Sequence, residues 1–515
     1  MLRLVVLVAL AGLCRADLPI DCRFSDAVGT WIVSESARTG DPSLDCSGEL
    51  GEVVHQKQFT LTYPNLVTDE LGNTGTWTLI YNQGFEVNIN ERSYWANFAY
   101  NSSGFWCDHL HVGWARDTTV RHWSCFSAVK ATFKGLSAPR KYHVPVLRNP
   151  DEFFRNNKAF IRRINEAQTS WTAKAYPHFE RYTNREMLQR AGGFYSPLPP
   201  PKPTTKEELS RAALLPSHFD WRDVEGVNYV SPVRDQGNCG SCYAFASTAL
   251  LESRVRILTN NSRQDIFSPQ EVVSCSRLSE GCNGGFAYLI AGRYAKDIGF
   301  VNESCNFYFG GESECSTDPS CARTYVSRYA FVGGYYGGAN EALMMEALVK
   351  EGPIAVDFNV ESDFSGYHQG IYVHLPAVKR DFDPVYTVNH VVLVVGYGVD
   401  EASGMKYWIV KNSWGQDWGE QGYFRIRRGT NENWQALNII TNFSLQLSVT
   451  LRFSIRLSIS NDLSLTICFS IIFSIILSNS ITSAASASTK FKVPEPQNEP
   501  DLNYEHETEY GMLGE

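Results

Sequence analysis

The stretch Gln236-Gly-Asn-Cys239-Gly-Ser-Cys242-Tyr-Ala-Phe-Ala246 sets two cysteines three positions apart, just ahead of helical spacing at Leu251, Val255 and Leu258. Such a pair suits half a zinc site, a redox couple, or a nucleophile beside a structural disulfide. A zinc site needs a second ligand pair. Cys275 and Cys282 are available for one, but the oxidising conditions met by an exported chain favour disulfides over such sites. A thioredoxin-like couple wants a βαβ context close by, and none is visible. No His-Glu-x-x-His or phosphate-loop pattern occurs, so no metal is expected. A nucleophile accounts for more residues. A thiolate is stabilised at a helix N-terminus, where Cys242 stands. His390, ahead of the apolar run Val391-Val-Leu-Val-Val395, can serve as its base, and Asn412 as the group that orients the base. Gln236 can aim its amide at a developing oxyanion.

Working outward, the first residues, Met-Leu-Arg followed by an apolar run to Leu13 and then Cys14-Arg-Ala16, have the form of a secretory leader over 1–16. Cleavage after Ala16 makes Asp17 the mature terminus. Of thirteen cysteines, Cys14 leaves with the leader. Sequons at Asn101, Asn260 and Asn302, with another at Asn442, suit passage through a glycosylating compartment. The chain has 515 residues, is 43% apolar and carries a net charge of -9 with no long basic run, which speaks for several globular domains and against a nucleic-acid partner.

Residues 17–132 read as β-rich. Gly75-Thr-Trp-Thr-Leu-Ile-Tyr81 is strand-like and runs into the turn Asn82-Gln83-Gly84. Cys22, Cys46, Cys107 and Cys125 fall in this block and allow three pairings. In 133–214, Phe153–Ala175 has helical spacing, with Phe160, Ile161 and Ile164 as the buried stripe. The proline-rich Ser196–Pro203 is an exposed, cleavable linker. Residues 215–442 are the densest block. In 443–515, Ser444–Ser460 alternates polar and apolar residues, and Leu463–Ile481 is apolar but broken by serines. This tail is expected to be low-complexity sequence without a folded role, and membrane anchoring by it is not expected.

The motifs Asp220-Trp-Arg-Asp223, Gln236–Cys242, Gly281-Cys-Asn-Gly-Gly285, Asn389-His390 and Lys411-Asn-Ser-Trp-Gly415 resemble those of the papain-like cysteine proteases. That resemblance implies an α+β fold with a helical lobe and a β-barrel lobe, and acyl transfer by Cys242, His390, Asn412 and Gln236. It also implies substrate contacts at Gly284 and Gly285, with Trp414 shielding the His390–Asn412 contact, and disulfides Cys239–Cys282, Cys275–Cys315 and Cys305–Cys321. Tyr81-Asn-Gln-Gly-Phe-Glu86, Ser170-Trp-Thr-Ala173 and Gly285-Phe-Ala-Tyr-Leu-Ile-Ala-Gly292 resemble the family's cathepsin C branch.

The branch implies an exclusion domain at 17–132, pairs Cys22–Cys107 and Cys46–Cys125, and an amine anchor at Asp17. It further implies removal of 133–214, a second cut near Arg380-Asp381, a homotetramer, and lysosomal or secreted residence. The expected reaction is removal of dipeptides from peptides and proteins with free N-termini. A papain-like endopeptidase and a catalytically silent papain-like binding protein are the alternatives. The branch binds chloride at positions matching Phe286 and Tyr288 together with a tyrosine hydroxyl, but Phe331 stands where that tyrosine is expected.

Overall fold

Runs of β-branched and aromatic residues broken by tight turns build the N-terminal block as sheet. The structure is a computed structural model. It describes residues 20–133, 135, 138–142, 149–192, 201–375 and 388–430, with backbone alone at 388–389, 434–435, 439–443, 453–459 and 465–471. The leader, Asp17 and the Arg380-Asp381 cut lie outside the described residues.

Nine strands run from Gly29–Glu35 to Trp123–Lys130. The first also pairs with the last, from Trp31↔Lys130 to Glu35↔Phe126, which closes the sheet on itself. Closure leaves few unpaired edges. Trp31, Trp77, Phe85 and Phe98 fill the interior. Disulfides Cys22–Cys107 and Cys46–Cys125 tie the chain ahead of and between these strands to the barrel. Strand Thr74–Ile80 turns into Gly84–Ile89 through Tyr81 and Asn82, both in the left-handed region at φ 50° and 60°.

The peptidase block has two lobes. One is built on the helix Cys242–Leu258, buried along nearly its whole length, and is stapled by Cys239–Cys282, Cys275–Cys315 and Cys305–Cys321. The other is a sheet whose centre is Val388–Val399, flanked by Ile354–Val360 and Lys406–Lys411.

Residues 149–192 follow the expected helix only in part. The helix is Lys158–Ala167, capped by Asn157, with Phe160 and Ile164 buried and Ile161 half-buried. Past Gln168 the chain is extended, and Trp171–Ala173 adds a strand beside Tyr367–Tyr372. Partners some two hundred residues away supply its hydrogen bonds, so local spacing could not mark the change.

Residues Met1–Leu445 form one compact unit and Gln446–Glu515 another. In the second, Phe453–Ile459 pairs antiparallel with Leu465–Ile471. Period-two alternation is a strand pattern, and the first of these strands lies within the alternating run Ser444–Ser460. Among the described residues no helix is long and apolar enough to cross a membrane.

Candidate active site

Cys242 is the first residue of its helix, where backbone N–H groups lack intrahelical acceptors and the dipole favours negative charge. The preceding loop is pinned by the Cys239–Cys282 disulfide and by Gly240 N donating to the Cys282 carbonyl at 2.9 Å. Among the residues whose side chains are described Cys242 is the cysteine outside any disulfide, and it is buried.

His390 lies on the central strand opposite Phe358, whose ring centroid is 5.8 Å from the imidazole. Its Nε2 is 2.8 Å from Asn412 Oδ1, so the amide oxygen accepts and Nδ1 is left without a hydrogen bond among the described residues. The Trp414 ring lies 5.2 Å from the imidazole and is itself buried, which keeps water from the His390–Asn412 contact. Asn412 Oδ1 also accepts from Ser413 N, and Ser413 Oγ donates to Gln236 Oε1 at 2.6 Å. Gln236 N donates to the Ser413 carbonyl at 2.9 Å, and Gln236 Nε2 donates to the Cys239 carbonyl, also at 2.9 Å. These bonds lock the Cys242 loop to the strand end carrying Asn412. Burial pushes the His390 imidazole down to about 4; the Asn412 bond opposes this and the Arg190 guanidinium adds to it.

Gly285 packs against Tyr243, the residue after Cys242 on its helix. Gly284 has φ 124°, and a Cβ on Gly285 would come 2.8 Å from the Tyr243 ring. Over the site lies the helix Asn184–Arg190. The Trp414 indole donates to the Arg190 carbonyl at 3.1 Å, and the Arg190 guanidinium donates to the Gly237 carbonyl at 2.6 Å and pairs with Asp235 at 2.8 Å. Asn238 donates to Glu186 at 2.9 Å. The region expected to be removed thus covers the Gln236–Gly240 loop, an arrangement the sequence alone did not disclose.

The N-terminal barrel meets the peptidase through a buried cluster. Glu86 accepts from Tyr288 at 2.8 Å, Arg293 at 3.0 Å, Tyr329 at 2.7 Å and Ser93 at 2.9 Å. Arg116 pairs with Asp297 at 2.6 Å. Burial pushes the Glu86 carboxyl up, but Arg293 and the tyrosine hydroxyls win and hold it below its usual value. The Tyr288 hydroxyl has one proton, and it goes to Glu86. Phe331 brings no hydroxyl and stacks on Tyr288 at 4.2 Å. Of the groups expected at a chloride, the Tyr288 hydroxyl is thus committed to Glu86, the hydroxyl missing at Phe331 is not replaced by it, and a nearby carboxylate would repel an anion. The sequon residues Asn101, Asn260 and Asn302 are all exposed, while the side chain of Asn442 lies outside the described residues.

Residues 215–444 match the papain family cysteine protease, and residues 17–130 match the cathepsin C exclusion domain. Cathepsin C of Schistosoma mansoni is 43% identical over 448 residues, covering 83% of this chain and 95% of the relative. The chain belongs to the papain family of cysteine proteases, in its cathepsin C branch. Pro-cathepsin H of Bos taurus is 39% identical over 235 residues, which is 44% of this chain and 64% of that protein. A solved structure, the digestive procathepsin L2 proteinase from Tenebrio molitor, is 30% identical with a TM-score of 0.45, covering 55% of this chain and 87% of that one. The protein is thus a cysteine peptidase, and Cys242, His390 and Asn412 occupy positions suited to thiol chemistry.

Proposed function

We propose that this peptidase removes dipeptides from free N-termini. The observation that carries this is where the N-terminal barrel rests. Its Tyr81 hydroxyl donates to Asp357 at 2.7 Å, one residue along the strand from Phe358, which packs on His390. The start of the described chain is tied to the same hairpin: Cys22 N donates to the Asn82 carbonyl at 3.0 Å, and Asn82 Nδ2 to Asp21 Oδ1 at 3.0 Å. Asp17 precedes Ile20 by three residues, a reach of about 10 Å. A carboxylate there would grip a substrate's free amine and leave room for two residues before Cys242.

Cys242 Sγ attacks the carbonyl carbon of the second residue, whose bond to the third residue's nitrogen then breaks. His390 takes the thiol proton at Nδ1, since Nε2 is engaged with Asn412, and later gives it to the departing amine. The Cys242 backbone N–H and the Gln236 amide stabilise the oxyanion. Water attacks the acyl-enzyme, releasing the dipeptide and restoring the thiol. The leader, the exposed sequon asparagines and the disulfides support lysosomal or secreted residence, and the family resemblance supports a homotetramer activated by loss of 133–214.

The test is digestion of one peptide with a free amine and its acetylated twin by the processed enzyme. Sequential loss of dipeptides from the free peptide alone is expected. Equal cutting of both would refute the proposal in favour of an endopeptidase.

A further inference from the structure

The helix Asn184–Arg190 places one cation where the chemistry above has no use for it. The Arg190 guanidinium is 1% exposed, donates to the Gly237 carbonyl at 2.6 Å and pairs with Asp235 Oδ1 at 2.8 Å. It also lies 5.9 Å from the centre of the Trp414 ring. The Asp235 side chain remains 40% exposed with this partner in place. Among the described residues Arg190 is the only cation within ion-pair distance of Asp235.

Asp235 directly precedes Gln236, and its backbone bridges to Trp414. Its Oδ1 accepts from Gly237 N at 2.9 Å, and a Cβ on Gly415 would meet its other oxygen at 3.3 Å. The carboxylate is therefore fixed in the corner between the Gln236–Gly240 loop and the Trp414-Gly415 turn. Trp414 packs on the His390 imidazole at 5.2 Å. His390 hands its proton to the departing amine, so the leaving chain starts beside the imidazole and runs out over Trp414 toward this corner. The acyl part lies the other way, toward Gly284, Gly285 and the barrel. A second acidic group stands on the same rim. Burial and the Arg190 and Arg181 guanidinia push the nearby His178 imidazole down, while Asp235 and the exposed Asp417 oppose this.

We propose that Asp235 is a specificity-determining residue for the leaving chain, pairing with an arginine or lysine side chain on the first or second residue after the cleaved bond. If 133–214 is lost as proposed, Arg190 leaves behind the Asp235 carboxylate, the Gly237 carbonyl and the face of Trp414, the three groups that hold its guanidinium in the uncleaved chain. The carboxylate and the carbonyl accept from a guanidinium or ammonium, and an indole face attracts the same cation. Arg190 thus acts as a mould that shows which charge the corner takes. Asp417 adds to the negative field at its entry. The inference goes beyond dipeptide removal and does not require it, because a leaving chain crosses this rim whatever the length of the acyl part.

The experiment gives processed enzyme free-amine peptides of one sequence that carry arginine or citrulline, which is near in shape and uncharged, at the third or the fourth position. Mass spectrometry identifies the bond cut, and active enzyme is counted by a thiol-directed irreversible label. The expected kcat/KM favours arginine about threefold at low salt at one of these positions, the scale of a partly exposed ion pair, and the preference shrinks as salt is raised. In Asp235→Asn, which keeps an acceptor for Gly237 N, the ratio is expected to fall to about one. Turnover of a dipeptidyl fluorogenic amide, which has no leaving chain, is expected to stay unchanged in that variant. A wild-type ratio near one at both positions overturns the proposal, and so does an arginine preference that persists in Asp235→Asn. An equal loss on the amide and on the peptides overturns it too, since Asp235 would then only support the loop. The bond cut reads the other level separately. Cleavage after the second residue with a ratio near one leaves dipeptide removal standing and removes the role of Asp235. Internal cleavage with arginine preferred just past the cut bond does the reverse.

Discussion

Replacing Asn412 by Ala gives the sharpest check on how the imidazole is held. Asn412 Oδ1 accepts from His390 Nε2 at 2.8 Å and also from Ser413 N. His390 is 0% exposed and Asn412 3%, so water cannot take over the lost role. An orphaned buried donor costs about 1–3 kcal/mol, which is roughly 5- to 150-fold in kcat/KM if the cost falls on the transition state. A second effect has a definite sign. The imidazole already sits at about 4 because of burial, and the Asn412 bond is what pulls it upward. Its loss lowers the value further. The imidazole can take the thiol proton only above its own value, so the acid limb of the pH profile moves to lower pH in Asn412→Ala. Asn412→Asp keeps an acceptor and adds a negative charge, so its limb moves the opposite way. Rates on a free-amine dipeptidyl amide across pH, with active sites titrated, read both effects. Wild-type kcat/KM in Asn412→Ala with an unmoved profile would show that the orientation argument is wrong.

Two further outcomes follow from the buried charges. In the uncleaved chain, Arg190→Gln should speed alkylation of Cys242 by iodoacetamide. The guanidinium lies 5.9 Å from the Trp414 ring centre and that ring 5.2 Å from the imidazole. The two legs put the guanidinium within about 11 Å of the imidazole, where its repulsion of an imidazolium at an effective dielectric of ~20 is on the order of 1 kcal/mol after partial offset by Asp235. An identical alkylation profile for the two chains would contradict this. Separately, Arg293→Met should destabilise the barrel–peptidase junction by about 3–5 kcal/mol, read by calorimetry, because it strands the Glu86 carboxylate. The Glu86 carboxyl lies below its usual 4.5 in the folded chain, so its stabilisation is present above that pH and fades as pH falls through the folded value. Glu86→Gln should blunt that acid dependence of the melting temperature, and an unchanged dependence would count against it.

Much of the site could be read along the chain because its chemistry is local. Cys242 follows a Gly-Ser turn at a helix start, and His390 and Asn412 stand at strand ends whose apolar runs are plain in the sequence. The turn read at Asn82-Gln83-Gly84 was legible for the same reason, one residue late: the strand ends at Ile80 and the next begins at Gly84. What escaped depended on partners far away in the chain. Trp171–Ala173 continues a helical-looking stretch and becomes strand only because Gly370 and its neighbours are there to pair with it. Arg190 is one basic residue among many until its carbonyl is found under the Trp414 indole. Asp357 stands in an apolar strand, Ile354–Val360, and nothing nearby in sequence says that its partner is a tyrosine 276 positions earlier. In the tail, the alternation over Ser444–Ser460 was visible, and the strand Phe453–Ile459 falls within it.

The strand Trp171–Ala173 has one more implication. It sits at the margin of the peptidase sheet and covers Tyr367–Tyr372. If 133–214 is lost as proposed, that neighbour loses its outer ladder and bares a rim of amide and carbonyl groups. Such a rim is adhesive toward any extended chain. Such a loss would create a docking edge in the same event that uncovers the Gln236–Gly240 loop.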